Sequence, residues 1–260
     1  MKYLNDVSKD CVGKICKSSN SGDFKIVKYN DSKDVEIQFL KTGYETTVEL
    51  GNIRKGEVKD PYSPSVFGVG VLGTKYLSKI NGVKTKEYDL WQNMLRRCYS
   101  DACKKKQPTY EGCKVSDNFK SYEYFYDWCH KQIGFGNDGN GNPFHLDKDL
   151  LVKGNKVYSE STCVFIPKEV NTLLTKRESS RGEYPIGVYW HNTKKAFVAQ
   201  VSKNKGKQEK LGSFNTEIEA FNAYKTAKEA FIKEQANKWK SQIDPRAYNA
   251  LMNYTVNIMD

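Results

Sequence analysis

Apolar and polar positions alternate with period two in two groups of stretches, and helical spacing separates them. Between residues 10 and 60, alternation is partial over 24–29 and clear over 35–40. Shorter runs of the same kind lie at 12–17 and 46–50. Asn20-Ser21-Gly22 and Asn30-Asp31-Ser32 are turn chemistry between them. These short strands predict a small antiparallel β-barrel over 1–66. Residues 61–75, with two prolines and three glycines, read as a linker. Helical spacing follows. Leu90, Trp91, Met94, Leu95 and Cys98 form one stripe on a helix over 87–99, and Phe119, Tyr122, Phe125, Tyr126 and Cys129 form another over 118–130. A Gly/Asn-rich loop, 134–142, leads to strands predicted at 144–151 and 161–166 on either side of a Gly-Asn turn. Pro167 is expected to open a helix.

Beyond a polar linker at 178–183 the period returns to two. Strands are predicted at 186–191, 196–202 and 207–214, with turns at 191–193 and 203–206. Thr216 with Glu219 three residues on forms a capping box. The helix it opens carries Ile218, Ala220, Phe221, Tyr224, Ala227 and Phe231 on a broad apolar face. A last helix, over 246–254, reads as a docking segment within 241–260. The fold class is α+β with several domains.

Charge narrows the functional classes. The net charge is +11, with abundant Tyr and Phe among the lysines, which suits contact with a nucleic-acid backbone and stacking on bases. The excess is uneven. Residues 1–66 hold 11 Lys+Arg against 10 Asp+Glu, so a barrel there fits a protein partner or a spacer as well as DNA. Residues 67–180 hold 18 against 13, and 181–240 hold 12 against 6, the densest positive excess. No stretch reaches the ~20 apolar residues of a membrane span, and no apolar run marks the first residues as a signal peptide. Seven cysteines, an odd number without a C-x-x-C pair, fit reduced thiols in a cytoplasm. Cys98, Cys103, Cys113, Cys129 and His130 follow no common zinc spacing.

The strand–turn–strand–helix pattern around 144–171 has the shape of a ββα metal finger. It would bring Asp147, at a strand end, towards Asn171, one turn into the helix. A carboxylate and an amide oxygen suit one hard divalent cation. Asp149, two residues along the predicted strand, is a second candidate ligand on the same face, and His145 lies two residues before Asp147 on that face. The run D-K-D, then G-N, Y-S, C-V-F and a helix Asn resembles the HNH endonucleases of phages and mobile introns. W-Q-N-M-L-R-R-C-Y (91–99) and T-Y-E-G-C-K-V (109–115) resemble their lead-in segment. The resemblance implies a homing-type nuclease domain over 67–180 with Mg or Mn as cofactor, Asp147 and Asn171 as ligands, and a general-base His in the slot that Lys148 occupies here. Lys148, protonated at pH 7 between two aspartates, suits a phosphate contact better than a base. His145 is the alternative base.

G-V-Y-W, F-V-A-Q-V and K-L-G-S-F-N-T-E-I-E-A-F-N-A-Y resemble the DNA-binding domain of plant ethylene-response factors over about 187–230, within a domain expected at 181–240. That family lays its three-stranded sheet in the major groove. Positional transfer puts Tyr189, His191, Gln200, Ser202, Gln208 and Lys210 on the groove-facing side. Alternation agrees, since Val188, Ala199, Val201 and Leu211 would face the helix. The arginines that the plant domains carry at several of these positions are absent, so bidentate Arg–guanine readout is too. Arg96 and Arg97 are further candidates for phosphate contact.

These readings lead to a phage-type protein of three modules: a barrel of the Src-homology or Tudor kind, an HNH-like finger domain, and a sheet-plus-helix domain for duplex DNA. The expected activity is metal-dependent DNA cleavage or nicking. The alternative is an inactive DNA-binding, regulatory or host-protein-inhibiting protein on the same frame.

Overall fold

The computed structural model describes residues 11–136, 141–175, 182–203 and 208–258. Contacts divide the chain into two compact units. The first runs to Cys129 and takes in Lys156–Ser159; the second comprises His130–Asn155 and the chain from Glu160. The expected 67–180 module is therefore shared between them.

In the first unit, β1 (Ile15–Ser18), β2 (Gly22–Asp31), β3 (Asp34–Phe39) and β4 (Glu45–Val48) form an antiparallel meander in sequence order. Alternation drives it: β3 buries Val35, Ile37 and Phe39 and leaves the residues between them partly exposed. The expected barrel does not close among the described residues. After β4 the chain turns into α1 (Leu50–Lys55), where a further strand would be needed for closure. Leu50 and Ile53 of α1 complete the core with Cys11, Phe24, Ile26 and Val58. The Ser18 hydroxyl donates to the Val58 carbonyl at 2.6 Å, and Ser19 N–H donates to Gly56 at 2.9 Å, so the segment after α1 seals the β1 edge.

The stretch 61–75 packs rather than spans. A Cβ at Gly70 would meet Leu95 at 2.5 Å and Trp91 at 2.8 Å. A two-stranded ribbon, β5 (Lys79–Ile80) and β6 (Val83–Lys84), precedes α2 (Lys86–Tyr99). Thr85 caps α2, and Tyr88, Trp91, Met94, Leu95 and Cys98 are its buried stripe. Removing each large apolar side chain of that stripe from water contributes about 1.5–3 kcal/mol. Next come α3 (Asp101–Lys106), β7 (Lys114–Val115), α4 (Asp117–Lys120) and α5 (Tyr122–Lys131). The single helix expected over 118–130 is broken at Ser121. There Val71 lies alongside, donating to the Lys120 carbonyl and accepting from Tyr122 N–H.

In the second unit, β8 (His145–Asp147) pairs antiparallel with β10 (Val164–Ile166). Between them in sequence, β9 (Val157–Tyr158) pairs in parallel with β7, so the connection is an excursion and not a tight hairpin. The strands are shorter than expected. α6 (Lys168–Leu174) follows β10 with Pro167 as its N-cap, so the helix starts one residue later than predicted, and it packs on β8. An aromatic row of His130, Phe135 and Phe165 lies beside this pair, with centroid spacings of 5.0 and 5.3 Å.

β11 (Val188–His191), β12 (Ala196–Ser202) and β13 (Gln208–Phe214) form an antiparallel sheet backed by α7 (Glu217–Trp239), which opens with the expected capping box. Ala199 and Val201 meet Ala220, Phe221 and Tyr224, with Val188, Phe197, Leu211 and Phe214 around them. Ile218 is 55 % exposed and lies off this face. Gly187 (φ +78) passes under Tyr224, whose ring a Cβ there would meet at 2.1 Å. The far end of α7 reaches the finger. Trp239 packs edge-on against Phe144, its Nε1 donates to Glu169 of α6 at 2.9 Å, and Lys238 pairs with the same carboxylate at 2.6 Å. α8 (Pro245–Met252), capped by Asp244, packs on α7. Arg246 N–H groups donate to the carbonyls of Glu160 and Ser161.

The expected linker at 178–183, the loop at 134–142 and the turn at 203–206 each lie partly outside the described residues. Among the described residues, no helix is long and apolar enough to cross a membrane.

Candidate functional site

The finger site is built where β8 stops. Asp147 turns its Oδ1 onto the backbone N–H groups of Asp149 (2.9 Å) and Leu150 (2.7 Å). This local carboxylate–backbone turn competes with the strand ladder and ends it. The predicted alternation therefore does not carry through to Asp149. Its carboxylate instead accepts from the Lys148 ammonium at 2.5 Å, away from any shared strand face with Asp147. Asp147 Oδ2 makes no hydrogen bond among the described residues.

The strand–helix pattern predicts that Asp147 meets Asn171. The residue that meets it is His145, with His145 Nδ1 and Asn171 Nδ2 3.2 Å apart, and no hydrogen bond joins Asp147 to Asn171 among the described residues. His145 and Asp147 are alternate residues of one strand, both half-buried, opposite Ile166 and Val164. Lys148 takes a different place. It is 6 % exposed, and its ammonium donates to Asp149 and to the Asn155 carbonyl at 2.7 Å, while Asn155 Nδ2 donates back to the Lys148 carbonyl at 2.8 Å. This reciprocal clamp pins the loop 148–155 across Gly154, whose φ of +77 suits glycine. Asn155 was not among the candidate residues. The Gly-Asn pair that signals a turn was its only mark in the sequence.

Burial raises the Asp147 carboxyl above its ordinary range; the two backbone N–H groups oppose this, and Asp149 adds to it. A raised carboxylate pKa means the fold favours the protonated form. That stability is complete below the ordinary pKa and is lost as pH rises through the folded value. At neutral pH, without a cation, the carboxylate thus costs stability. Asp147→Asn keeps an acceptor for both N–H groups and removes the charge. Its urea midpoint at pH 7 is expected to exceed that of the parent. The difference should vanish at a pH below the ordinary carboxylate range. A destabilised variant at pH 7 would show that the charge is compensated.

Oxygen donors of this kind fit a hard divalent cation. Among the described residues Asp147 Oδ2 and Asn171 Oδ1 accept no hydrogen bond, and as candidate ligands they are a sparse set of the sort Mg²⁺ completes with water and phosphate. Among the described residues, no three His, Cys, Asp or Glu side chains converge on a metal position. The seven cysteines are all buried and unpaired as disulfides.

The second candidate surface is the face of the β11–β13 sheet opposite α7. Gln200 lies across from Lys210, Ser202 from Gln208, Tyr189 from Val198 and His191 from Ala196, so all six expected residues share one face. Ser202, Gln208 and Lys210 are exposed; Tyr189, His191 and Gln200 are half-buried. The ladder shifts register between Ala199 and Gln200, leaving Leu211 as an extra residue in β13. Strict alternation would send Gly212 and Phe214 outward; the bulge sends Ser213 outward, opposite Val198. Lys194 extends the same face, with its ammonium 3.5 Å from Ser213 Oγ. Neither Ser213 nor Lys194 was a candidate in the sequence, because the bulge that places Ser213 leaves no pattern.

The two arginines of α2 differ. Arg96 is exposed and its Nε donates to Asn93 at 3.3 Å. Arg97 lies half-buried over the Tyr110 ring at 5.4 Å, beside Tyr158. Burial pushes the Tyr158 phenol up while Arg97 pulls it down. Arg97 is thus a packing residue of the first unit, and Arg96 is the one placed for an external anion. Comparison with protein-family models, curated proteins and solved structures finds no match for the chain.

Proposed function

We propose that the chain is a duplex-DNA-binding protein whose finger is an HNH-type, metal-dependent endonuclease. The observation that carries the reading is the meeting of His145 and Asn171 on one strand–helix pair whose Asp147 keeps a carboxylate oxygen available. In this reading Asp147 and Asn171 hold a Mg²⁺ or Mn²⁺ ion. Such an ion would supply Lewis-acid stabilisation of the charge that develops as the phosphodiester is cut. His145 takes the proton of the attacking water, and the Lys148–Asn155 clamp fixes the loop that follows Asp147. The polar sheet face, with Lys210, Gln200 and Gln208, grips the duplex. α7 fixes that face relative to the finger through Trp239 and Glu169.

Plasmid nicking with Mg²⁺ or Mn²⁺ tests the activity, and parallel calorimetry with Mn²⁺ on the parent and on Asp147→Ala tests the ligand set. Equal heats and intact plasmid would remove the enzyme and leave a DNA-binding scaffold. The Lys148 clamp favours that second reading in one respect, because it withdraws the residue in the family's base slot from chemistry.

Lys210→Ala is expected to weaken binding to a random-sequence duplex. It should also lower the slope of log K against log salt by about 0.9, the share of one phosphate contact. An unchanged slope in fluorescence anisotropy across a salt series would take Lys210 off the interface.

A further inference from the structure

The β5–β6 ribbon carries features that the finger and the C-terminal sheet leave unused. Every residue from Lys79 to Lys84 is exposed. Ile80 (58 %) and Val83 (72 %) close the turn as a cross-strand pair, and Leu77 before it is 71 % exposed. Three large apolar side chains within seven residues outside any core are not a folding device, since they bury little on folding. The ribbon is nonetheless fixed. Asn81 (φ 49) and Gly82 (φ 79) both occupy left-handed backbone, the requirement of a tight two-residue hairpin turn. Thr85 N–H donates to the Ser78 carbonyl at 3.1 Å, and the Tyr122 hydroxyl to that of Leu77 at 3.2 Å.

Its charges point to the occupant. Lys79 stands directly opposite Lys84, a like-charge cross-strand pair that destabilises a ribbon in isolation. Lys84 finds Gln92 at 2.6 Å and Asp89 at 3.9 Å. Lys79 has no ion-pair partner among the described residues. No acid lies between Leu77 and Lys86. Neighbouring cross-strand pairs point to opposite faces, so the ribbon has an apolar face, Ile80 with Val83, and a cationic face, Lys79 with Lys84.

We propose that this ribbon is a second contact element for duplex DNA, lying in a groove. A two-stranded ribbon fits the major groove, and β-branched side chains pack against thymine methyl groups on its floor. The long stems of Lys79 and Lys84 swing from the outer face to the phosphates on the two rims. Two facing lysines are then an asset, because each rim presents its own row of anions. The inference rests on the DNA-binding reading above and adds to it an element in the other unit of the chain.

The test uses the full chain, fluorescence anisotropy and a short random-sequence duplex across a salt series. Its arms are the parent, Lys79→Ala/Lys84→Ala, Ile80→Ser/Val83→Ser and Lys210→Ala. All substituted ribbon positions are exposed, and circular dichroism checks that the fold is kept. The lysine pair variant is expected to lower the salt slope by about 2. The apolar pair variant is expected to weaken binding roughly tenfold with the slope unchanged. If both ribbon variants bind like the parent while Lys210→Ala is weakened, the ribbon proposal fails and the DNA-binding reading stands. If the parent does not bind duplex DNA, both fall. A ribbon variant that loses binding only to vesicles of phosphatidylcholine with phosphatidylserine, and not to DNA, overturns the proposal in favour of a membrane surface.

Discussion

Replacing Lys148 by Met is expected to destabilise the second unit by about 2–3 kcal/mol, read as a lower urea midpoint at pH 7. Met keeps most of the buried stem, so the loss isolates the ammonium. That group is the donor to the Asn155 carbonyl at 2.7 Å and to Asp149 at 2.5 Å. The Asp149 side chain is 53 % exposed, and water replaces that partner at little cost. The Asn155 carbonyl is the more expensive loss, because the clamp is reciprocal and its other half, Asn155 Nδ2 to the Lys148 carbonyl, depends on the same loop geometry. Arginine, bulkier and planar, is not expected to restore the stability at a site 6 % exposed. A phosphate contact predicts the opposite pattern: unchanged stability and weakened DNA binding. If Lys148→Met melts with the parent and loses affinity, the clamp is incidental and the residue belongs to the interface.

The placement of Lys148 shows where the sequence was legible and where it was not. The strand–helix pattern put the strand beside the helix Asn, because periodicity and a strand-to-helix Pro carry three-dimensional information over short range, but it named Asp147 where the contact is made by His145. The same pattern failed at Asp149. Alternation assumes that a strand continues, and Asp147 ends it by capturing two backbone N–H groups with its own side chain. At the N-terminus, the strand predicted over 46–50 gives way to α1, although Gly51 and Asn52 are poor helix formers. Tertiary demand overrides that preference: the open sheet needs Leu50 and Ile53 over its core, and a helix delivers both. In β13 one bulge moved Ser213 to the outer face and left Lys210 where alternation had put it. Arg97 is a candidate phosphate contact in the sequence because the partners it packs on, Tyr110 and Tyr158, are distant along the chain. The Asp147 turn is local; in the other cases what the sequence withheld was a contact between segments.

His145→Ala is expected to lower strand cleavage by about 10²–10⁴, the usual span for a lost general base. The geometry around Asn171 sharpens the claim. With the amide nitrogen towards His145, Nδ1 is an acceptor and the ring proton sits on Nε2, so the imidazole cannot take a proton from water there. With the amide turned about its last bond, Oδ1 accepts from Nδ1–H and Nε2 carries the lone pair. A carbonyl oxygen has two lone pairs, so Asn171 Oδ1 can hold the ring in this tautomer and still face a cation. Base catalysis by His145 therefore requires the turned amide. Asn171→Asp, which offers only acceptors, enforces it; Asn171→Ala abolishes it. In single-turnover nicking with Mn²⁺, Asn171→Asp is expected to stay within about tenfold of the parent, and Asn171→Ala to fall with His145→Ala. If Asn171→Asp falls as far as Asn171→Ala, His145 acts as a proton donor and the base is another group. If His145→Ala cuts at the parent rate, the pairing with Asn171 is structural, and the chemistry of the finger lies outside this histidine.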